Sequence, residues 1–141
     1  MNILILNGPN LNMLGIREPE VYGKESLRDI EQKIQILSKE LDFSYQCFQS
    51  NAEHEIVNMV QSALGKFDVI IFNPGAFTHT SIAIRDAMLA VAIPFYEVHI
   101  SNVFAREDFR KKSYFSDIAV GVISGCGSQG YELAIRNGIK G

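Results

Sequence analysis

A chain of 141 residues, 47% hydrophobic and 21% charged, has the size and balance of a single globular domain, residues 1–141, with a sizeable buried core. Its formal net charge of −3, with both signs scattered along the chain, excludes the basic stripe that nucleic-acid binding needs. No apolar run approaches the roughly 20 residues of a membrane span, the first one turns at Gly8-Pro9 without the basic start of a signal sequence, and Cys47 and Cys126 have no paired spacing for a disulfide framework or zinc site, so a reduced cytoplasmic setting is expected.

Ile3 to Leu6 opens the chain as a short apolar strand. Ser26 with Asp29 is a capping-box signal for a first long helix carrying Leu27, Ile30, Ile34, Leu37 and Leu41 on one face. A second strand follows at Phe43 to Phe48, then a helix with Ile56, Val57, Val60, Ala63 and Leu64 behind the capping pair Ser50 and Glu53, stopped at Gly65. Val69 to Phe72 is the third strand. A helix from Ser81 to Ala92 ends ahead of Pro94. The fourth and fifth strands are expected at Phe95 to Ile100 and Ile118 to Ile123, and a last helix at Ser128 to Arg136, closed by Gly138.

Most of these strands are continuously apolar, as parallel strands covered on both faces should be. Strands alternating with helices make an α/β, doubly wound, five-stranded parallel sheet, and the length suits the flavodoxin-like strand order 2-1-3-4-5. Ligands in such sheets bind beyond the carboxyl ends of the strands, near the switch point between strands 1 and 3.

Three loops meet that edge. Strand 1 runs into Asn7-Gly8-Pro9-Asn10-Leu11-Asn12 and on to Arg17-Glu18-Pro19-Glu20-Val21-Tyr22-Gly23. Strand 3 runs into Asn73-Pro74-Gly75-Ala76-Phe77-Thr78-His79-Thr80-Ser81, and strand 4 into Glu97-Val98-His99-Ile100-Ser101-Asn102, followed by the charged stretch Arg106 to Lys112. Taken singly, each Asn, Gly or Pro reads as a turn residue and each His as a surface or core residue. Taken together, titratable groups on three loops that converge at one edge describe a polar pocket. His54 lies on a helix away from it.

A tyrosine is a poor base at neutral pH unless a neighbouring cation stabilises its anion. Arg17 shares the first loop with Tyr22 and stays charged at any relevant pH. Two arrangements fit that loop: Arg17 against Tyr22, holding it partly as tyrosinate, or Arg17 paired with Glu18 or Glu20 while Tyr22 anchors the loop apolarly. His99 suits a general acid, because histidine titrates near working pH. Glu97, on the same strand face, either orients His99 or forms a structural pair with it. Asn10 and Asn73 offer hydrogen bonds to a developing oxyanion. A base, an acid and oxyanion donors together describe proton abstraction beside a carbonyl with loss of a hydroxyl, a dehydration. The glycines of the first loop, Gly8, Gly15 and Gly23, would let it close over substrate.

The residues also carry a resemblance. The chain is similar to the type II 3-dehydroquinate dehydratases from Ile3 to Gly130, most closely in Asn7-Gly8-Pro9-Asn10-Leu11, Arg17-Glu18-Pro19, Tyr22-Gly23, Asn73-Pro74-Gly75-Ala76, Thr78-His79-Thr80-Ser81, Arg85-Asp86-Ala87, Glu97-Val98-His99-Ile100-Ser101-Asn102 and Ala105-Arg106-Glu107. The resemblance implies a flavodoxin-like fold and anti elimination of water from 3-dehydroquinate to 3-dehydroshikimate through an enolate, without cofactor or metal, as a step of the shikimate pathway toward chorismate and aromatic amino acids. It implies that Tyr22 is the base, that Arg17 activates it, that Asn10 stabilises the enolate through a water, and that His99 protonates the departing hydroxyl. It further implies that Ile100 and Ser101 hold the ring carboxylate, that Asn73, His79 and Arg110 contact other substrate oxygens, and that Asp86 reaches a neighbouring subunit's site within a dodecamer built from trimers. Phe77, Phe104 and the pair Lys111-Lys112 depart from the commoner residues at their positions.

The rival reading is a flavodoxin-like nucleotide-binding module, suggested by Gly125-Cys126-Gly127-Ser128-Gln129-Gly130, which fits G-x-G-x-x-G. That motif belongs after the first strand of a dinucleotide fold, with an acidic residue further on for the ribose. Here it follows the last strand, with only 11 residues beyond Gly130. A receiver domain would need carboxylates at the strand ends for magnesium, where Asn7 and Asn73 stand. A Schiff-base lyase would need a pocket lysine, for which only loop Lys24 offers a position.

Overall fold

The computed structural model describes residues 1–141 apart from Arg17. The described residues form a five-stranded sheet of β1 (Asn2–Asn7), β2 (Ser44–Gln49), β3 (Val69–Asn73), β4 (Phe95–His99) and β5 (Gly121–Ser124), in the order β2-β1-β3-β4-β5. Every neighbouring pair is parallel. Its helices are the single turn α1 (Pro19–Tyr22), then α2 (Leu27–Leu41), α3 (Glu53–Ser62), α4 (Ile82–Val91) and α5 (Gln129–Lys140). No helix among the described residues is long and apolar enough to cross a membrane.

The strands are continuously apolar because alternate residues enter two different cores. Ile3, Ile5, Val69, Ile71, Val98 and Ile100 pack with α2 and α5 on one face. Leu4, Leu6, Ile70, Phe72 and Phe95 pack with α3 and α4 on the other. On β4 the residues that follow Phe95 in its alternation are Glu97 and His99, so two polar groups are carried into the α3/α4 face at the sheet's carboxyl edge. That register makes the site.

Most helix boundaries follow local chemistry. Ser26 Oγ accepts from the Asp29 amide at 3.1 Å while Asp29 Oδ2 accepts from the Ser26 amide at 3.0 Å, the expected capping box. Ser81 caps α4 by accepting from the Ile84 amide at 3.0 Å.

Three expectations are corrected. Ser50 and Glu53 do not cap α3, whose N-cap is Ala52. The Ser50 hydroxyl instead accepts from the Ala52 amide at 2.9 Å and donates to Glu55 at 2.6 Å. Gly138 does not close the last helix, which runs on to Lys140; it is buried against Val69 and Tyr96. The last strand begins at Gly121 rather than Ile118, because the amides of Ile118 and Ala119 both turn back to the Phe115 carbonyl.

Two glycines join the loops above β1 and β3. A Cβ on Gly8 would stand 2.2 Å from the Pro74 carbonyl oxygen, and one on Gly75, at φ +58°, would stand 2.9 Å from the Pro9 oxygen. Gly8 thus permits a close backbone approach, a different use from the hinge expected of it. Gly15 and Gly23, at φ +90° and +82°, do take the left-handed conformation that favours glycine.

Candidate active site

The carboxyl edge of the sheet encloses a cleft lined by Asn10, Tyr22, Asn73, His79, His99, Ile100, Ser101, Arg106 and Arg110, with Pro9, Leu11, Gly75, Ala76 and Val103 completing the wall. Seven of the residues singled out in the sequence besides Tyr22 are therefore gathered there: Asn10, Asn73, His79, His99, Ile100, Ser101 and Arg110. Asp86 is not among them. It is exposed on α4, so it does not serve the cleft of its own chain. Arg17 lies outside the described residues.

Asn10 occupies the left-handed region at φ 69°, and its amide donates to Asn51 Oδ1 at 3.0 Å. Gln49, at the end of β2, donates to both Asn51 Oδ1 and the Gly8 carbonyl at 3.1 Å. The loop after β1 is thereby fastened to the loop after β2. Asn73, at the end of β3, is oriented from behind: its Nδ2 donates to the Tyr131 hydroxyl at 2.9 Å and its Oδ1 accepts from the Gly75 amide at 3.2 Å. The same tyrosine, 1% exposed, donates to Asn7 Oδ1 at 2.6 Å. Burial pushes its phenol well above the ordinary range, which keeps it a neutral donor at any working pH.

His99 and Glu97 form a buried pair. His99 Nε2 and Glu97 Oε2 are 2.5 Å apart, with side-chain exposures of 7% and 1%. Glu97 also accepts from Ser116 Oγ at 2.6 Å and Ser113 Oγ at 2.9 Å. Burial alone would raise its carboxyl; the hydrogen bonds from His99, Ser116 and Ser113, with the charge on His99, outweigh that and hold it below its ordinary value. With Nε2–H donating to the carboxylate, Nδ1 is the ring atom left to exchange a proton with a ligand.

His79 Nδ1 lies 2.7 Å from the Lys112 carbonyl oxygen, which accepts its proton. Burial lowers the His79 pKa, and the Lys112 carbonyl opposes this while the nearby charges of His99 and Arg110 reinforce it. A neutral His79 donating from Nδ1 presents Nε2 as an acceptor, suited to a hydroxyl group.

Sequence reasoning did not assign Arg106 to the tyrosine. Arg106 Nη1 donates to Tyr22 Oη at 2.8 Å and to Ser101 Oγ at 3.3 Å, and its guanidinium carbon lies 5.3 Å from the centre of the Tyr22 ring. Arg106 belongs to the charged stretch after β4, but nothing in that stretch distinguishes it from Arg110, whose Nε pairs with Glu107 Oε2 at 3.1 Å. A phenol oxygen held by a guanidinium is equipped to carry negative charge. Such an oxygen and an imidazole backed by a carboxylate, lining one cleft, suit proton removal at one atom and proton delivery at another.

The glycine-rich Gly125–Gly130 loop has a supporting part here. The Gly125 amide donates to the His99 carbonyl at 3.2 Å and the Gly127 amide to the Ile100 carbonyl at 3.0 Å, with both glycines at positive φ. The loop braces the end of β4.

Residues 1–139 match the family described as Dehydroquinase class II. The chain is 58% identical over 134 residues to a 3-dehydroquinate dehydratase of Haemophilus ducreyi, covering 95% of this chain and 93% of that one. It is 56% identical over 139 residues to a 3-dehydroquinate dehydratase of Hydrogenovibrio crunogenus, covering 99% and 96%. Its fold superposes on the crystal structure of a type II dehydroquinase from Butyrivibrio crossotus with a TM-score of 0.97 and 45% identity, covering 99% and 97% of the two chains. With the cleft described above, these matches show that the chain belongs to the class II dehydroquinase family.

Proposed function

We propose that Tyr22 and His99 are the base and acid of a type II 3-dehydroquinate dehydratase, an enzyme of the shikimate pathway, and that residues 1–141 form one catalytic domain. Tyr22 Oη takes the proton from the carbon beside the ketone, the electrons pass to the ketone oxygen as an enolate, and their return expels the hydroxyl at the next carbon. His99 gives that hydroxyl a proton, so water leaves and the conjugated enone 3-dehydroshikimate remains. The observation that carries this reading is the Arg106 guanidinium on Tyr22 Oη at 2.8 Å, in the same cleft as the His99–Glu97 pair.

The other lining residues take supporting roles. Asn10 stabilises the enolate through a water, and Ile100 and Ser101 receive the ring carboxylate. Asn73, His79 and Arg110 meet the remaining oxygens, and Arg17 joins Arg106 in polarising Tyr22. Asp86, exposed on α4 and away from its own cleft, fits a role in a neighbouring subunit's site, and with it the dodecamer of trimers. The protein works in the cytoplasm, on a small-molecule substrate. Neither cofactor nor metal enters the proton transfers.

Purified protein given 3-dehydroquinate, with no metal or nucleotide added, is expected to produce the rising ultraviolet absorbance of a conjugated enone. Tyr22→Phe, which deletes only the ionisable oxygen, should abolish it while leaving the fold intact. Wild-type protein that gives no enone refutes the activity, and a Tyr22→Phe variant with near wild-type kcat removes Tyr22 from the chemistry.

A further inference from the structure

The stretch from Arg106 to Asp117 touches the cleft at more than one point. Arg106 meets Tyr22, the Lys112 carbonyl meets His79, and Ser113 and Ser116 meet Glu97. Its far end is firmly seated. Phe115 is fully buried, with its ring edge-on to Phe72 at 5.2 Å between centres. Arg85 donates to the Tyr114 carbonyl at 2.9 Å and pairs through both Nη atoms with Asp117 at 2.5 and 2.9 Å.

The two serine hydroxyls are directed by that anchorage. Ser113 Oγ accepts from the Phe115 amide at 3.0 Å, which engages one of its lone pairs, and it donates its proton to Glu97 Oε2. Ser116 Oγ donates to the other oxygen, Oε1. Glu97 Oε2 thus receives His99 and Ser113 while Oε1 receives Ser116, which fixes the plane of the carboxylate as well as its charge.

We propose that Ser113 and Ser116 are positioning residues for the dehydration: their hydroxyls lock the Glu97 carboxylate, and Glu97 in turn aims the His99 imidazole at the departing hydroxyl. The inference rests on His99 being the acid. The two serines act through Glu97 and do not touch substrate. A carboxylate that is 1% exposed needs such donors to stay ionised. The strand partners of Glu97, Phe72 on β3 and Val122 on β5, are apolar. Among the described residues, the titratable groups that couple to it are His99 on its own strand and His79, which in turn feels Arg110.

The test is kcat and KM across pH for Ser113→Ala, Ser116→Ala, the double variant and Ser116→Thr, which retains the hydroxyl at an exposed position. Each Ala variant should lose about three- to tenfold in kcat with little change in KM. Losing a donor raises the Glu97 carboxyl, so the acid limb of the kcat profile should move to higher pH. Ser116→Thr should restore both rate and limb. A double Ala variant with wild-type kcat and an unmoved acid limb overturns the proposal. So does a fall in kcat without movement of the limb, since a purely structural role would do that, and so does Thr behaving like Ala. Absence of turnover by wild-type protein refutes the activity instead, and a His99→Ala variant with full activity refutes the acid assignment.

Discussion

Replacing Arg106 with Met keeps the length and apolar stem of the side chain but removes the guanidinium from Tyr22 Oη. The hydrogen bond lost is 2.8 Å long and charge-assisted. Such bonds contribute about 1.5–3 kcal/mol, and at roughly 1.4 kcal/mol per factor of ten the expected fall in kcat/KM is about 10- to 150-fold. Stacking of the guanidinium on the ring, at 5.3 Å to its centre, adds a further ~0.5–1 kcal/mol at most. The weaker contact to Ser101 Oγ at 3.3 Å adds little. The assay is the appearance of the enone with substrate varied, for wild type, Arg106→Met and Arg106→Lys. Lys keeps the charge and loses the planar fork, so it should fall between Met and wild type. An Arg106→Met variant within twofold of wild type would refute the assignment.

Tyr131→Phe should destabilise the fold by about 1–3 kcal/mol in denaturant unfolding, because it strips a partner from both Asn7 and Asn73 inside the sheet; a loss below about 0.5 kcal/mol would mean that the two amides find other partners. His79 has a lowered pKa in the folded protein, so the unfolded chain binds its proton more tightly. The stability it contributes is fully present above its ordinary value of 6.5 and declines as pH falls from there toward the folded value. Unfolding free energies of wild type and His79→Gln should therefore converge as pH falls below about 6.5, and a difference that stays constant from pH 8 to 5 would contradict that sign.

The sheet was legible because its signal is local. A strand covered on both faces must be apolar at nearly every position, and β1 and β3 are, with Ile3, Ile5, Val69 and Ile71 in one core and Leu4, Leu6, Ile70 and Phe72 in the other. The errors arose where a residue serves a contact rather than the backbone pattern it resembles. Ile118 and Ala119 are as apolar as a strand, yet they pack against the α3/α4 core from a turn. Gly138 looks like a helix stop, yet it lies within α5, facing Val69 and Tyr96. Ser50 stands three residues before Glu53, as a capping box requires, but its hydroxyl is already committed to Ala52 and Glu55.

The site divides along the same line. Asn73 and His99 end strands, Asn10 and Ile100 follow within a few residues, and the topology alone carries them to one edge. The cation on Tyr22 is another matter: Arg106 lies 84 residues away in sequence, brought there by a segment without strand or long helix whose path depends on Phe115 being buried and Arg85 gripping Asp117. Periodicity says nothing about such a path. A sequence can show that a tyrosine needs a cation and that several arginines are at hand, Arg17, Arg106 and Arg110 among them. Placing Arg106 on Tyr22 takes the tertiary packing. The physical consequence is that Tyr22 and the His99–Glu97 pair, the proposed base and acid, are not independently placed. The segment that carries Arg106 to Tyr22 also carries Ser113 and Ser116 to Glu97, so a change in how Phe115 or Arg85 seats it would disturb the surroundings of the Tyr22 hydroxyl and of the His99–Glu97 pair together.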